Sequence, residues 1–222
     1  MDVSTYLRAA KEAECRFCSL LSGAADSFNS SWMAEGAYTA MVSVGAFVPG
    51  WTLICPLTYS VNLSDDYVER DFWDFTATAA DFVTSRYGAS AMFEHGAGVE
   101  TSLTGCGVGH AHAHLVPLGF SLEDAARAAA PEFNWQACRA ADIKAVVNGC
   151  EYLFVSSTFQ SGETKGSLCI LEKPTSQFFR KVIADRLGMG EQYDYKKYPM
   201  LEMARISAHE LRKHVSIAAL VV

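Results

Sequence analysis

The run from Gly105 to Val116 constrains the fold more than any other segment, because it carries histidine at three alternate positions, His110, His112 and His114. Successive side chains of a β-strand point to opposite faces, so this spacing predicts a strand with three imidazoles on one face. Such a face can bind a metal ion, or hold one imidazole as a nucleophile or proton carrier between two orienting neighbours. A half-buried strand with no role for its histidines is disfavoured, because buried imidazoles need polar partners.

Alternating glycines precede the first of these histidines. Glycine lets a ligand approach the backbone closely, and successive N–H groups in a turn can bind an anion. A Gly-x-Gly-x-Gly run is typical of a flexible turn when it stands alone. Joined directly to three histidines, it predicts a phosphate-binding turn beside a nucleophile, formed by Gly105, Cys106, Gly107 and Val108.

The segment His-Ala-His-Ala-His-Leu-Val at 110–116 resembles the signature of the histidine triad family, His-φ-His-φ-His-φ-φ, in which φ is apolar. Three upstream segments are similar to family features and occur in the same order. They are an early Cys-x-x-Cys pair at 15–18, a Pro-Gly-x-x-Leu-Ile-x-Pro strand at 49–56, and the Glu-His-Gly turn of one branch at 94–96. The resemblance covers about residues 12 to 120.

The resemblance implies a nucleotide hydrolase or nucleotidyltransferase that acts at a nucleoside α-phosphate, with hydrolysis favoured. His112 would attack phosphorus and form a covalent nucleotidyl-histidine, which water or a second substrate then resolves. Because this needs a bare ring nitrogen on His112, we expect its other nitrogen to bond a backbone carbonyl. His110 and His114 would contact phosphoryl oxygens or the leaving group, and the amides of the glycine-rich turn would stabilise the developing charge. No cofactor is required for this chemistry.

The resemblance also implies a structural zinc site at Cys15, Cys18 and His110. Zinc-binding members carry a further histidine at the position that Tyr59 occupies here. Because a structural zinc ion normally takes four ligands, we expect His95 or a water molecule to complete the set. The alternative is an ordinary pair of thiols without a metal.

Two more departures concern the nucleoside. Many members hold the ribose hydroxyls with an aspartate, and Ser43 lies closest to its expected position; Trp51 replaces the histidine of the family's Pro-Gly-His turn. A non-catalytic nucleotide-binding protein, or a specialised enzyme with an unusual phosphorylated substrate, therefore remains an alternative. A mononuclear metal enzyme that uses all three histidines as ligands is disfavoured, because alternate side chains on one strand diverge too widely.

Composition narrows the partners and the compartment. The chain has 222 residues, half of them hydrophobic, and a formal charge of −7 with no cluster of lysine or arginine. A small nucleotide therefore suits it better than long nucleic acid, which needs many cationic contacts. No apolar stretch approaches the roughly 18 residues of a membrane span. Seven irregularly spaced cysteines suit free thiols in the cytoplasm, and the family analogy implies a homodimer.

The order of helical and extended patterns predicts an α+β fold, an antiparallel sheet with helices on one face. Helices are expected at 4–18 and 64–86, and strands at 38–44, 51–56 and 89–94, before the histidine strand. We expect a core domain at 1–120 and a C-terminal extension at 121–222 that packs on it, with strands at 151–157 and 167–171 and a helix at 175–187.

The start of that last helix carries a candidate phosphate contact. Gln177 and Arg180 lie three residues apart, and a helix N-terminus with an arginine attracts phosphate. An exposed polar pair at a helix start is the equally weighted alternative.

Overall fold

The computed structural model describes residues 15–21, 31–105 and 109–218. In chain order the helices and strands are α1 (Arg16–Leu21), β1 (Ser31–Glu35), β2 (Tyr38–Val42), β3 (Thr52–Pro56), α2 (Arg70–Tyr87), β4 (Ser90–Gly96), β5 (Ala113–Pro117), α3 (Leu122–Ala129), β6 (Gln136–Arg139), α4 (Ile143–Val147), β7 (Tyr152–Ser156), β8 (Lys165–Ile170), α5 (Phe178–Leu187) and α6 (Leu201–Ala218). None of these helices is long and apolar enough to cross a membrane.

The eight strands of the described chain form one sheet in the order β1-β2-β3-β5-β4-β7-β8-β6, and every neighbouring pair is antiparallel. The α+β class with an antiparallel sheet is therefore confirmed. β7 pairs with the edge of β4 that β5 leaves open, so the C-terminal strands continue the sheet of the predicted core. The division of the chain at residue 120 stays a prediction.

Helices cover both faces of the sheet, so the expectation of helices on one face is wrong. α2 and α6 bury residues such as Trp73 and Leu211 against one face. α3 and α5 bury residues such as Leu122 and Phe179 against the other face, the one that His114 shares. The cause lies in the strands, since the central ones are buried along their whole length and need apolar cover on each side.

Local signals account for three of the helix boundaries. Apolar residues three and four apart bury one side of α2, which ends at Gly88, whose φ of +97° breaks the helix. The Ser121 side chain accepts a hydrogen bond from Asp124 N–H and so begins α3. α5 begins three residues later than predicted, because Gln177 takes a left-handed φ of +57°.

β4 sends adjacent polar side chains to opposite faces of the sheet. Glu94 is fully buried in the α2 side of the core, where one carboxylate oxygen accepts from Leu63 N–H at 2.7 Å. The other oxygen accepts from Tyr67 at 2.7 Å and from Tyr152 at 2.6 Å. Burial outweighs these three donors and raises the pKa of Glu94 to about 7. His95, the next residue, lies on the face of His114.

Candidate active site

The three histidines do not share one strand face, which corrects the expectation from their spacing. Only His114 lies within β5, where it pairs with Leu53 of β3 and Phe93 of β4. His110 and His112 precede the strand, because regular pairing begins at Ala113. The rings of His112 and His114 lie 4.9 Å apart, whereas the ring of His110 is directed at the cysteine pair described below.

His112 has the protonation state that a nucleophile needs. Its Nδ1 lies 2.9 Å from the backbone oxygen of His110. A carbonyl can only accept, so Nδ1 carries the proton and Nε2 of the neutral ring is bare. The expected hydrogen bond to a backbone carbonyl is thereby confirmed. Burial lowers the pKa of His112 to about 4, although the bond to His110 acts in the opposite direction. The ring is therefore neutral at pH 7.

His114 has the opposite tautomer. The indole Nε1–H of Trp51 donates to His114 Nδ1 at 2.9 Å, so the proton of the neutral ring is on Nε2. The imidazole stacks on Phe93 with centroids 4.5 Å apart and planes 13° apart. Burial, together with the positive charge of nearby Arg180, holds the pKa of His114 well below its usual range. The site thus places a bare ring nitrogen next to a ring that donates from Nε2.

A second group of ligand atoms lies at the cysteine pair. Cys15 Sγ, Cys18 Sγ and His110 Nδ1 all lie within 4.8 Å of one another. His110 Nε2 lies 2.8 Å from Pro56 O and must donate to it, which directs the Nδ1 lone pair at the two sulfur atoms. A histidine that binds a metal ordinarily donates its other nitrogen in this way. Burial raises the pKa of Cys15, but hydrogen bonds with His110 and Cys18 outweigh it and lower the value to about 7.

This donor set fits zinc by its chemistry, since thiolates and imidazole are the ligands of structural zinc. It supplies three of the usual four ligands. His95 does not belong to this group of ligand atoms, because its ring lies beside His114 and its Nε2 accepts the backbone N–H of Phe179 at 3.3 Å. Completion of the set by a water molecule stays a prediction. Tyr59, at the position of the missing histidine, sets its ring edge-on to His110 at 5.7 Å. No disulfide joins any of the six cysteines in the described ranges.

Two segments were predicted to contact phosphate, the glycine-rich turn and Ser43. Gly105 is buried at the end of its loop, and Cys106, Gly107 and Val108 lie outside the described residues. Ser43 is buried directly after β2 and donates to Val44 O at 3.2 Å, while its N–H donates to Trp51 O. These contacts put Ser43 next to the residue that bonds His114. A contact of either segment with phosphate stays a prediction.

The α5 start is built differently from an exposed polar pair. Arg180 is 2% exposed, and its guanidinium donates to the backbone oxygens of Tyr193, at 2.7 Å, and Gly45. It lies over the ring of Trp51, 4.7 Å from the centroid. The side-chain oxygen of Gln177 is buried without a hydrogen-bond partner among the described residues. The exposed alternative is therefore wrong for Arg180, and its predicted contact with phosphate is untested.

The comparisons with known proteins find similarity among solved structures only. No family model and no curated protein matches the chain. Among solved structures, it is similar to a Hit-like protein involved in cell-cycle regulation from Bartonella henselae, whose crystal contains an unknown ligand. The identity is 19%, the match covers 46% of this chain and 78% of that protein, and the TM-score is 0.37.

Two contacts of the site were not predicted from the sequence. Trp51 was identified only as a replacement, yet it fixes the tautomer of His114. The available signal was chemical, since an indole N–H one residue before β3 is a donor beside the strand that pairs with β5. The N–H of Phe179 on His95 had no such signal, because it joins residues 84 positions apart.

Proposed function

We propose that this protein is a nucleotide hydrolase that acts at a nucleoside α-phosphate through a covalent intermediate on His112. The observation that supports this most directly is the pairing of opposite tautomers 4.9 Å apart, a bare Nε2 on His112 and a donating Nε2–H on His114. Neutral imidazole is a good nucleophile near pH 7, and a covalent intermediate divides one difficult displacement into two easier ones. The sequence signature at 110–116 is consistent with the same chemistry.

In the first step the Nε2 lone pair of His112 forms a bond to phosphorus, and the bond from phosphorus to the leaving group breaks. The ring becomes a phosphorylated imidazolium whose Nδ1–H still donates to the His110 carbonyl, which stabilises the new positive charge. His114 Nε2–H would donate a hydrogen bond to a phosphoryl oxygen as negative charge develops there. Water then attacks phosphorus, the electron pair of the P–N bond returns to His112 Nε2, and the nucleoside monophosphate leaves with the water oxygen. The proton that the attacking water loses passes to the solvent.

The test is a His112→Asn variant assayed with dinucleoside polyphosphate and nucleoside phosphoramidate substrates. We expect turnover to be abolished while nucleotide binding persists, and a covalent nucleotidyl adduct seen by mass spectrometry in the wild type to disappear. His209→Asn, at an exposed position of α6, is the matched control and should retain both activity and adduct. Normal turnover by His112→Asn would show that the proposed mechanism is wrong.

We further propose that Cys15, Cys18 and His110 hold a structural zinc ion, which would cross-link α1 to the segment before β5. Purified wild-type protein should then contain stoichiometric zinc. Cys18→Ser should lose it, whereas Cys150→Ser, at an exposed site, should not. Equal metal content in the two variants would contradict the assignment.

We propose a homodimer in the cytoplasm that acts on small nucleotides, by analogy with the family that the sequence resembles. Light scattering of the purified chain measures the oligomeric state directly, and a monomer would contradict this part of the proposal.

A further inference from the structure

Trp51 donates a buried hydrogen bond to the ring of His114. The indole is fully buried, and its N–H donates to the imidazole across nearly perpendicular rings, with centroids 5.7 Å apart. Indole nitrogen is a donor only and keeps its proton at every pH of interest. His114 Nδ1 must therefore accept for as long as this bond stands, and an imidazolium, which would place two donors face to face, is excluded. Trp51 thus confines His114 to the neutral ring with its proton on Nε2.

Arg180 of α5 reinforces this arrangement. Its guanidinium lies over the indole ring, held there by the carbonyls of Gly45 and Tyr193. A cation over an aromatic face attracts its π electrons, which makes the N–H a stronger donor. The same buried positive charge disfavours a second one on His114. The C-terminal extension therefore acts on the tautomer of His114 through Trp51.

A ring held in this form can donate a hydrogen bond but cannot donate its proton. Loss of the Nε2 proton would leave an imidazolate, because the indole cannot give its own proton to Nδ1 in exchange. Two other described imidazoles beside the site each have a ring nitrogen in a hydrogen bond with the backbone. His110 directs Nε2–H to Pro56 O, and His95 Nε2 accepts the N–H of Phe179. None of these described rings is placed to act as a general acid toward the leaving group.

We propose that Trp51 is a positioning residue that keeps His114 a hydrogen-bond donor rather than a proton donor, and that the substrate is consequently a nucleoside phosphoanhydride. This rests on the proposed function of His112. In an anhydride the bridging oxygen leaves the α-phosphorus with both electrons, as the stable anion of a phosphate group, while His112 Nε2 forms the new bond. No proton moves in that step. A phosphoramidate differs, because its amine leaves only after its nitrogen has taken up a proton.

The test compares kcat/KM for diadenosine triphosphate with kcat/KM for an adenosine phosphoramidate of a primary amine. General acids contribute about 100-fold or more to such reactions, so we expect the wild type to prefer the anhydride by at least about 100-fold. Trp51→His should reduce this preference, because a histidine can exchange a proton with His114. Trp135→Phe keeps an aromatic ring and removes an indole N–H that donates to Ala130 O rather than to a histidine, so it should leave the preference unchanged.

A measurement on the wild type keeps the proposal testable if Trp51→His does not fold. Nitrogen-15 NMR of the imidazoles, assigned with His114→Gln, should show His114 protonated on Nε2 and bare on Nδ1 from about pH 5 to pH 8. A protonated Nδ1 within that range would overturn the positioning role.

The two proposals fail in different ways. If no substrate forms an adduct on His112, the proposed function is wrong. If the adduct forms but the phosphoramidate is used as readily as the anhydride, the function stands and the role assigned to Trp51 is wrong.

Discussion

Replacing Glu94 by glutamine should remove a pH dependence of the free energy of unfolding. The carboxyl group lies in the core with both oxygens bonded, to Leu63 N–H on one side and to Tyr67 and Tyr152 on the other. Its pKa is raised from 4.5 to about 7, chiefly because burial penalises the charged form. The folded protein therefore holds this proton more tightly than the unfolded chain does.

The sign and size follow from proton linkage. A raised pKa contributes stability that is fully present below the unfolded value of 4.5 and is lost as the pH rises through about 7. With these two pKa values, Glu94 contributes about 2.5 kcal/mol to the free energy of unfolding at pH 5 and close to zero at pH 8. Glutamine does not titrate, so the variant lacks this difference.

Urea unfolding at pH 5 and pH 8 measures the effect as a double difference between wild type and Glu94→Gln. The change in unfolding free energy from pH 5 to pH 8 should be more negative in the wild type by about 2.5 kcal/mol. Comparing the variants in this way cancels the contributions of the buried histidines, which are common to both. Glu132→Gln, at an exposed position, should behave as the wild type does. Equal changes in wild type and Glu94→Gln would refute the reasoning.

Two further predictions concern the site. Because burial lowers the pKa of His112 to about 4, kcat/KM should stay flat from about pH 8 down to about pH 5.5, and an inflection near 6.5 in the pH–rate profile would contradict a desolvated ring. Arg180→Met should lower the free energy of unfolding by about 3 kcal/mol, because it leaves the carbonyls of Gly45 and Tyr193 without their buried donor. Arg186→Met, at an exposed position of the same helix, is the control in urea unfolding and should cost far less.

The parts of the fold that were predictable are those fixed by local periodicity. The 3–4 spacing that includes Phe72 and Phe75 gave α2, and short apolar runs gave β2, β3 and β7. β1 and β6 were not predicted, because they lie at the two edges of the sheet and much of their surface is exposed, so neither shows apolar alternation. Cover on both faces was readable in principle, since Tyr152–Ser156 is apolar at four consecutive positions rather than at alternate ones.

The histidine run shows why periodicity alone misjudged the site. A period of two predicts one face only where the backbone is a regular strand, and here the strand begins after the second histidine. His110 instead follows the glycine-rich segment and turns its ring toward Cys15 and Cys18. The bond from His112 Nδ1 to the His110 carbonyl was predictable, because it joins residues only two apart.

The remaining contacts of the site join distant parts of the chain. Several of them come from the predicted C-terminal extension, which therefore contributes to the site. Phe179 donates to His95 across 84 positions, and Arg180 donates to Gly45 across 135. Both donors lie in the first turn of α5. The ring of His95 lies beside that of His114, and Arg180 lies over Trp51, which donates to His114. A chain cut at residue 120 would lose these contacts and also leave the edge of β4 unpaired. In that shorter chain His112 would keep its bond to the His110 carbonyl. Trp51, which donates to His114, would lose the Arg180 cation over its ring. On the role proposed for Trp51, Arg180 of the C-terminal part strengthens the bond that keeps His114 from donating its proton.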